Sequence, residues 1–291
     1  YCGGLFDHIG GGFSRYSTDE RFLVPHFEKM LYDNALLILA YCRAHTLTKD
    51  RQRAELYIDI AKRTADYILR EMTSSEGGLY SAQDADSEGE EGKYYVFTPE
   101  EIDKVLGKEQ AEAFCGLYDI THDGNFEGKS IPNLLNSESF KKADEQTLSK
   151  LYEYRKGRYR MHRDKKILTQ WNALMIAALC ALYMESGESK YLAAAIRADE
   201  FIESRLSCGE SLFVSFAEGK AGAKGFLDDY GAYCYAKLAL YRATLEEEYL
   251  NRAQKIWEKA MGDFWDNEHG GFYFSGAENE RLILRPKEPY D

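Results

Sequence analysis

A recurring apolar helical segment does most to limit how this chain can fold. Asn34-Ala-Leu-Leu-Ile-Leu-Ala-Tyr-Cys42 and Asn172-Ala-Leu-Met-Ile-Ala-Ala-Leu-Cys180 share Asn, Ala, Leu, Ile, Ala and the closing Cys at the same spacing, and Asp229-Tyr230-Gly231-Ala232-Tyr233-Cys234 is a more diverged copy. Each is apolar nearly all round, which predicts a helix buried on every side. A short polar turn follows each one, at Thr46 to Asp50, Ser186 to Ser189 and Leu245 to Glu248, and then an amphipathic helix. The pairs end in a Gly-Gly-aromatic signature, at Gly77-Gly78-Leu79-Tyr80 and Gly270-Gly271-Phe272-Tyr273. Gly3-Gly4-Leu5-Phe6 carries the same signature. A double glycine stops a helix and turns the chain. Inner helix, outer helix and crossing loop, repeated, predict an all-α fold, an α/α toroid of helical hairpins. The long crossing loops, each with an extended piece, favour a closed ring over a solenoid. A single domain is expected over residues 1–291, with a small α+β insertion at 81–168. The insertion holds a strand-like Lys93–Phe97, a helix opening at the capping box Thr98-Pro99-Glu100-Glu101, and a charged helix from about Ser139 to Met161.

Composition excludes several classes of partner. A net charge of −12 argues against nucleic acid and anionic membrane, which require clustered Lys and Arg. No apolar run approaches the ~20 residues of a membrane span. The six cysteines are scattered without a C-x-x-C pair, so they read as reduced, buried thiols of a cytoplasmic protein, not as a disulfide frame or metal site. No phosphate loop, dinucleotide fingerprint, nucleophile elbow or zinc motif is present, and no cofactor or metal is expected. The chain opens at Tyr1-Cys2 without Met and closes at Tyr290-Asp291, so both ends read as cut.

In such a ring the inner helices run the same way, and their N-termini share one mouth. A helix N-terminus tolerates carboxylates and binds oxyanions. Three polar clusters fall there: Pro25 to Asn34, Asp164 to Asn172, and Asp228-Asp229-Tyr230. Taken singly, Asp33, Thr169 and Asp228 read as helix caps. The recurrence of acid plus aromatic at three helix starts marks the group as a candidate site. The loop Asp7-His8-Ile9-Gly10-Gly11-Gly12-Phe13-Ser14-Arg15-Tyr16 is the least ordinary stretch. Asp7-His8 reads as a base with an orienting carboxylate, or as a structural turn with a buried histidine. The candidate acid/base set is Asp7, His8, His26, Glu28, Asp33, Asp228 and Asp229. The candidate substrate-holding set is Arg15, Tyr16, Tyr32, Asn34, Asp84, Asp86, Trp171, Asn172 and Tyr230, because a sugar needs aromatic platforms as well as acids. Asp84-Ala85-Asp86 also looks like part of a calcium loop, but it lacks the glycine and terminal glutamate of one.

Along Asp7 to Asp19, Val24 to Ala35, Gly77 to Ser87, Glu91 to Tyr95, Gly124 to Lys129, Leu168 to Asn172, Leu227 to Tyr230 and Leu282 to Glu288, the sequence resembles the thioredoxin-domain-bearing family typified by spermatogenesis-associated protein 20. The resemblance covers essentially the whole chain. It implies a thioredoxin-like domain on the N-terminal side of the full-length protein, followed by a six-hairpin glycosidase-like (α/α)6 toroid. This chain then corresponds to the toroid part, without its first and last hairpins. Gln83 and Gln170 depart from the family pattern. Pro25-His26-Phe27-Glu28 leading into an inner helix is also similar to N-acylglucosamine 2-epimerases. Together these imply a carbohydrate-active domain, glycosidase-like or epimerase-like, with a small-molecule carbohydrate as partner. The competing expectation is a non-catalytic binding or scaffold module beside the thioredoxin-like domain.

Overall fold

The recurring apolar segments become three helices in the computed structural model, which describes residues 1–291 except 138, 139, 141, 278, 280–282 and 288–291. The second is buried all round up to its last turn, whereas Leu36 of the first and Tyr235 and Leu238 of the third are exposed. Helix α1 (Leu31–Leu47) and helix α2 (Arg51–Glu71) make the first hairpin. After helices α3 (Pro99–Leu106), α4 (Lys108–Tyr118) and α5 (Glu145–Arg158), the second hairpin is α6 (Thr169–Ser186) with α7 (Ser189–Phe201), and the third is α8 (Leu227–Thr244) with α9 (Glu247–Phe264). Helix α6 lies between α1 and α8, and each of the three packs on the helix that follows it. Ala173, Met175, Ile176, Ala177, Ala178, Leu179, Cys180 and Leu182 of α6 are all buried, as an all-round apolar helix requires. The architecture is that of an α/α toroid, with inner helices α1, α6 and α8. Among the described residues no helix is long and apolar enough to cross a membrane.

The repeated asparagine locks each crossing segment onto its inner helix. Asn34 Oδ1 accepts from Phe13 N at 2.8 Å, while its Nδ2 donates to Phe13 O at 3.1 Å and Met30 O at 2.8 Å. Asn172 does the same to Leu79 N (2.8 Å), Leu79 O (2.9 Å) and Leu168 O (2.9 Å). Phe13 and Leu79 each follow a glycine pair. The first member of the glycine series is therefore Gly11-Gly12-Phe13, not Gly3-Gly4-Leu5-Phe6 as the signature alone suggested.

The aspartate loop before that pair recurs as well. Phe6 bridges Phe13, and Trp265 bridges Phe272. Asp7 N donates to Gly12 O and Gly11 N to Asp7 O; Asp266 N donates to Gly271 O and Gly270 N to Asp266 O. Asp7 Oδ1 accepts from Ile9 N and Gly10 N, and Asp266 Oδ1 from Glu268 N and His269 N. A lysine closes each loop: Lys29 Nζ reaches Asp7 Oδ2 (2.9 Å) and Gly11 O (2.8 Å), and Lys287 Nζ reaches Asp266 Oδ2 (2.6 Å) and Gly270 O (2.7 Å). The glycines are needed for packing. A Cβ on Gly12, at φ +80°, would stand 2.4 Å from the Tyr67 ring of α2.

Helices α3 to α5 bury their own apolar cluster, Ile102, Phe114, Tyr118, Leu148 and Leu151, with Phe97 and with Ile9 of the glycine loop. The expected capping box at Thr98 and Glu101 forms. Helix α5 is shorter than expected, and Ser139 lies outside the described residues, as do Leu282 and Glu288. Lys93–Phe97 is not a strand. Gly92, at φ +73°, starts a turn closed by Tyr95 N to Gly92 O, and Phe97 makes only an isolated bridge to Ser130. The two tyrosines of that turn pack on a buried arginine instead, Arg155, whose Cζ lies 4.6 Å from the Tyr94 ring centroid and 5.4 Å from that of Tyr95. Cys42 and Cys180 are buried thiols as expected, whereas Cys208 is exposed.

Asp7 is also gripped by Arg155 of α5, Nη1 to Oδ1 at 2.9 Å and Nη2 to Oδ2 at 2.8 Å. Asp7→Asn leaves two buried cations without their counter-ion and should cost roughly 3–5 kcal/mol in chemical denaturation. Asn172→Ala strands the Leu79 amide and carbonyl and should cost roughly 2–4 kcal/mol. A loss below about 1 kcal/mol in either variant contradicts the corresponding anchor.

Candidate functional site

Two contacts bring the inner-helix starts together. The Tyr32 and Trp171 rings, at the starts of α1 and α6, lie 4.8 Å apart. Gln170 N at the start of α6 donates to Asp229 Oδ1 at the start of α8, at 3.2 Å. The approach strands are also tied, Lys29–Met30 through Ala82–Gln83 to Arg163–Asp164, and Ile167–Leu168 to Ser215–Ala217.

Around that junction, Arg15 Nη1 lies 3.5 Å from Glu28 Oε2, with the Tyr32 hydroxyl and Asp33 also close enough to stabilise its charge. His26 stacks on Tyr16 with ring centroids 5.1 Å apart. Its Nδ1 is 2.7 Å from Glu91 Oε1, and its Nε2 is 3.8 Å from Glu28 Oε2. A carboxylate oxygen accepts, so this contact orients the ring with Nδ1 donating to Glu91 and Nε2 toward Glu28. The histidine–carboxylate arrangement that the sequence suggested at Asp7-His8 thus occurs at His26–Glu91. Glu91 was missed as a site residue because it lies 65 positions from His26 and sits in the small hairpin where Asp86 faces it. Its only sequence signal was its place in the family motif.

Three carboxyls at the junction are held above their ordinary range. Burial raises Asp33, opposed by Arg15 and Tyr32 and reinforced by Glu28, and its buried Oδ2 has no hydrogen-bond partner. Asp33 is the third residue of α1 and caps nothing. Burial also raises Asp228, whose Oδ1 accepts from Asp229 N. Burial pushes Asp229 up to about 7, with Asp228 adding to the shift and the amides of Phe226 and Gln170 opposing it.

Other expected site residues are committed elsewhere. Asp7 is buried, and although burial alone would raise it, Arg155 and Lys29 hold it well below the carboxylate range. His8 is buried among Tyr1, Phe6 and Tyr118, its Nε2 is 3.2 Å from Gly3 O, and burial lowers it to about 3, so it stays neutral. These two residues form no base pair of their own. Asn34 and Asn172 are fully buried with both amide hydrogens used in the crossing-segment clamps. Tyr230 is buried, and its hydroxyl accepts from Leu212 N at 3.0 Å. Asp84 pairs with His162 at 2.9 Å, away from Asp86. What remains at the junction is Arg15, Tyr16, His26, Glu28, Tyr32, Asp33, Asp86, Trp171, Asp228 and Asp229, with Glu91 added.

No family model matches the chain. It is 32% identical to human spermatogenesis-associated protein 20 over 99% of its own length and 42% of that protein, and 31% identical to the mouse protein over the same shares. An uncharacterized protein of Caenorhabditis elegans is 29% identical over 99% of the chain and 45% of that protein. The chain thus spans about two fifths of the length of these relatives. Among solved structures it is similar to cellobiose 2-epimerase from Spirochaeta thermophila (TM-score 0.56, 14% identity, 94% of this chain and 52% of that one). It is also similar to unsaturated glucuronyl hydrolase from Bacillus sp. GL1 (TM-score 0.53, 12% identity, 92% and 56%) and to a family 76 α-mannanase from Bacteroides thetaiotaomicron (0.51, 15%, 90% and 51%). At these identities the likeness is one of fold, the toroid of glycoside hydrolases and epimerases.

Asp229 gives the site a signature in pH. Between about pH 4, where an unfolded aspartate ionises, and its folded value of about 7, the folded chain binds the extra proton. Stability therefore falls as pH rises through that window, by about 1.4 kcal/mol per pH unit for one proton. Asp229→Asn should flatten this slope in chemical denaturation; a variant curve parallel to the parent's across the window rules out the raised carboxyl.

Proposed function

Starting from this chain's kinship with the spermatogenesis-associated protein 20 proteins, which it matches along its whole length, we propose that it is a carbohydrate-active domain that binds a sugar at the shared start of α1, α6 and α8. The observation that carries the reading is Asp33, a carboxyl raised by burial with an unpartnered Oδ2, next to the Tyr32–Trp171 ring pair. A carboxyl whose ionisation is raised by burial suits a general acid, and an aromatic pair is a platform for a sugar ring. His26, oriented by Glu91, supplies a base, and Arg15 beside Glu28 holds substrate oxygens. Asp228 and Asp229 add a second pair of raised carboxyls. This set serves either glycoside hydrolysis or proton abstraction beside a sugar carbonyl. The two are told apart by reducing-end release against uptake of solvent deuterium at carbon.

The test is a panel of mono- and disaccharides on the full-length protein, read by thermal shift. A bound sugar at 100-fold its Kd stabilises by about 2.7 kcal/mol. Trp171→Ala should abolish the shift. Asp33→Asn should retain it while lowering turnover roughly 10²–10⁴-fold. A panel with no shift defeats the reading and leaves a scaffold for the thioredoxin-like domain of the full-length protein. A shift with turnover unaffected by Asp33→Asn leaves a binding site without the assigned acid.

A further inference from the structure

A large cavity opens beside the strands that enter α1 and α6. It measures about 1080 Å³ and is bounded by the last turns of α2, by α5 and by the segment from Tyr159 to Lys166. Of the junction residues none lines it; Asp7 does, from beneath the glycine loop. Its walls carry eight Lys or Arg side chains against four Asp or Glu, an excess of positive charge in a chain whose net charge is −12. Three of the four carboxylates are already shared, and the fourth, Glu218, is exposed and makes no ion pair with a described residue. Asp7 serves Lys29 and Arg155, Glu71 serves Arg70 and Arg163, and Asp164 serves Lys166. Lys156, Arg160 and Lys165 are exposed at the edge of the cavity and make no ion pair with a described residue.

The deeper wall is preorganised for an acceptor. Arg155 is 2% exposed, and its Nε, like the buried Nε of Arg163, meets no hydrogen-bond partner. Unpaired buried donors are rare in folded proteins and mark a place where an acceptor belongs. Aromatic faces fix the guanidinium planes: Arg155 Cζ lies 4.6 Å from the Tyr94 centroid and Arg70 Cζ 4.3 Å from that of Tyr152. Cations arriving from several directions suit a tetrahedral dianion better than a planar carboxylate, which a single arginine fork satisfies.

We infer that this cavity is a binding site for a phosphate-bearing small molecule, held by Arg155 in the wall and by Lys156, Arg160 and Lys165 at the edge. Binding is set by charge and is weakened by salt, since the edge groups are exposed. The site is distinct from the proposed sugar-binding junction, and either can fail without the other.

Inorganic pyrophosphate is the probe, titrated calorimetrically into the full-length protein, with citrate as a carboxylate of comparable charge and glucose as an uncharged control. Pyrophosphate should bind and glucose should not. The double variant Arg160→Glu, Lys165→Glu, which alters exposed side chains only, should weaken pyrophosphate at least about tenfold, as losing charged hydrogen bonds implies. Trp171→Ala should leave pyrophosphate binding unchanged. Absence of pyrophosphate binding, binding that the double variant leaves intact, or a preference for citrate overturns the assignment.

Discussion

One buried carboxylate ties the parts of this protein to each other. Asp7 takes two bonds from Arg155, one from Lys29 and two from backbone amides. Its partners come from different places: α5, the strand entering α1, and its own loop. Two cations and one anion out of water are costly, and the arrangement persists because nearly every lone pair and most of the protons find a partner. Lys29 shows the balance. Burial lowers it to about 8, against the pull of Asp7, while the rings of Tyr67 and Tyr95 stand 4.4 and 5.0 Å from its nitrogen. The hydrophobic clusters around α1 and around α5 are thus joined by a polar knot whose geometry admits few alternatives.

The repeat that the sequence displays at Asn34 and Asn172 announced three hairpins correctly, because apolar periodicity is a direct record of burial. It did not announce what the asparagines do. Equal spacing says that two residues are equivalent, and only the fold says that both hold a crossing segment. The loop at Asp7 was harder to read. Next to His8 it resembled catalytic machinery, yet Phe6-Asp7 with Gly11-Gly12-Phe13 recurs as Trp265-Asp266 with Gly270-Gly271-Phe272, and that recurrence is structural. The signal was available but masked by the earlier Gly3-Gly4, which fits the same short pattern. His26 and Glu91 lie in segments with no shared periodicity, so nothing local could have paired them. The turn at Lys93–Phe97 was misread because its aromatic residues look like a strand, whereas they fold over Arg155.

The glycine loop stands between two regions of opposite chemistry. Its acid faces a cavity rich in cations, and its continuation carries Arg15 and Tyr16 to the junction of raised carboxyls. The acids at the helix starts are held above their ordinary range because burial outweighs what opposes it, Arg15 and Tyr32 at Asp33 and backbone amides at Asp228 and Asp229. At Asp7 the order is reversed, because two cations are in direct contact. Asp7 and the helix-start acids therefore show the two outcomes of one competition between desolvation and pairing.

The aspartate–lysine closure has one more consequence. Asp7 and Lys29 fasten the two ends of a segment whose interior carries Arg15, Tyr16, His26 and Glu28. The anchors are buried and specific, while Arg15 and Tyr16 between them are exposed. A stretch held this way is like a cassette: Gly12 and Phe13 are fixed by packing and by the Asn34 clamp, while exposed Arg15 and Tyr16 can be exchanged with the clasp unchanged. A second aspartate–lysine contact, Asp266 with Lys287, follows α9. Side-chain variation at exposed Arg15 and Tyr16 is thereby separated from the forces that keep the segment folded.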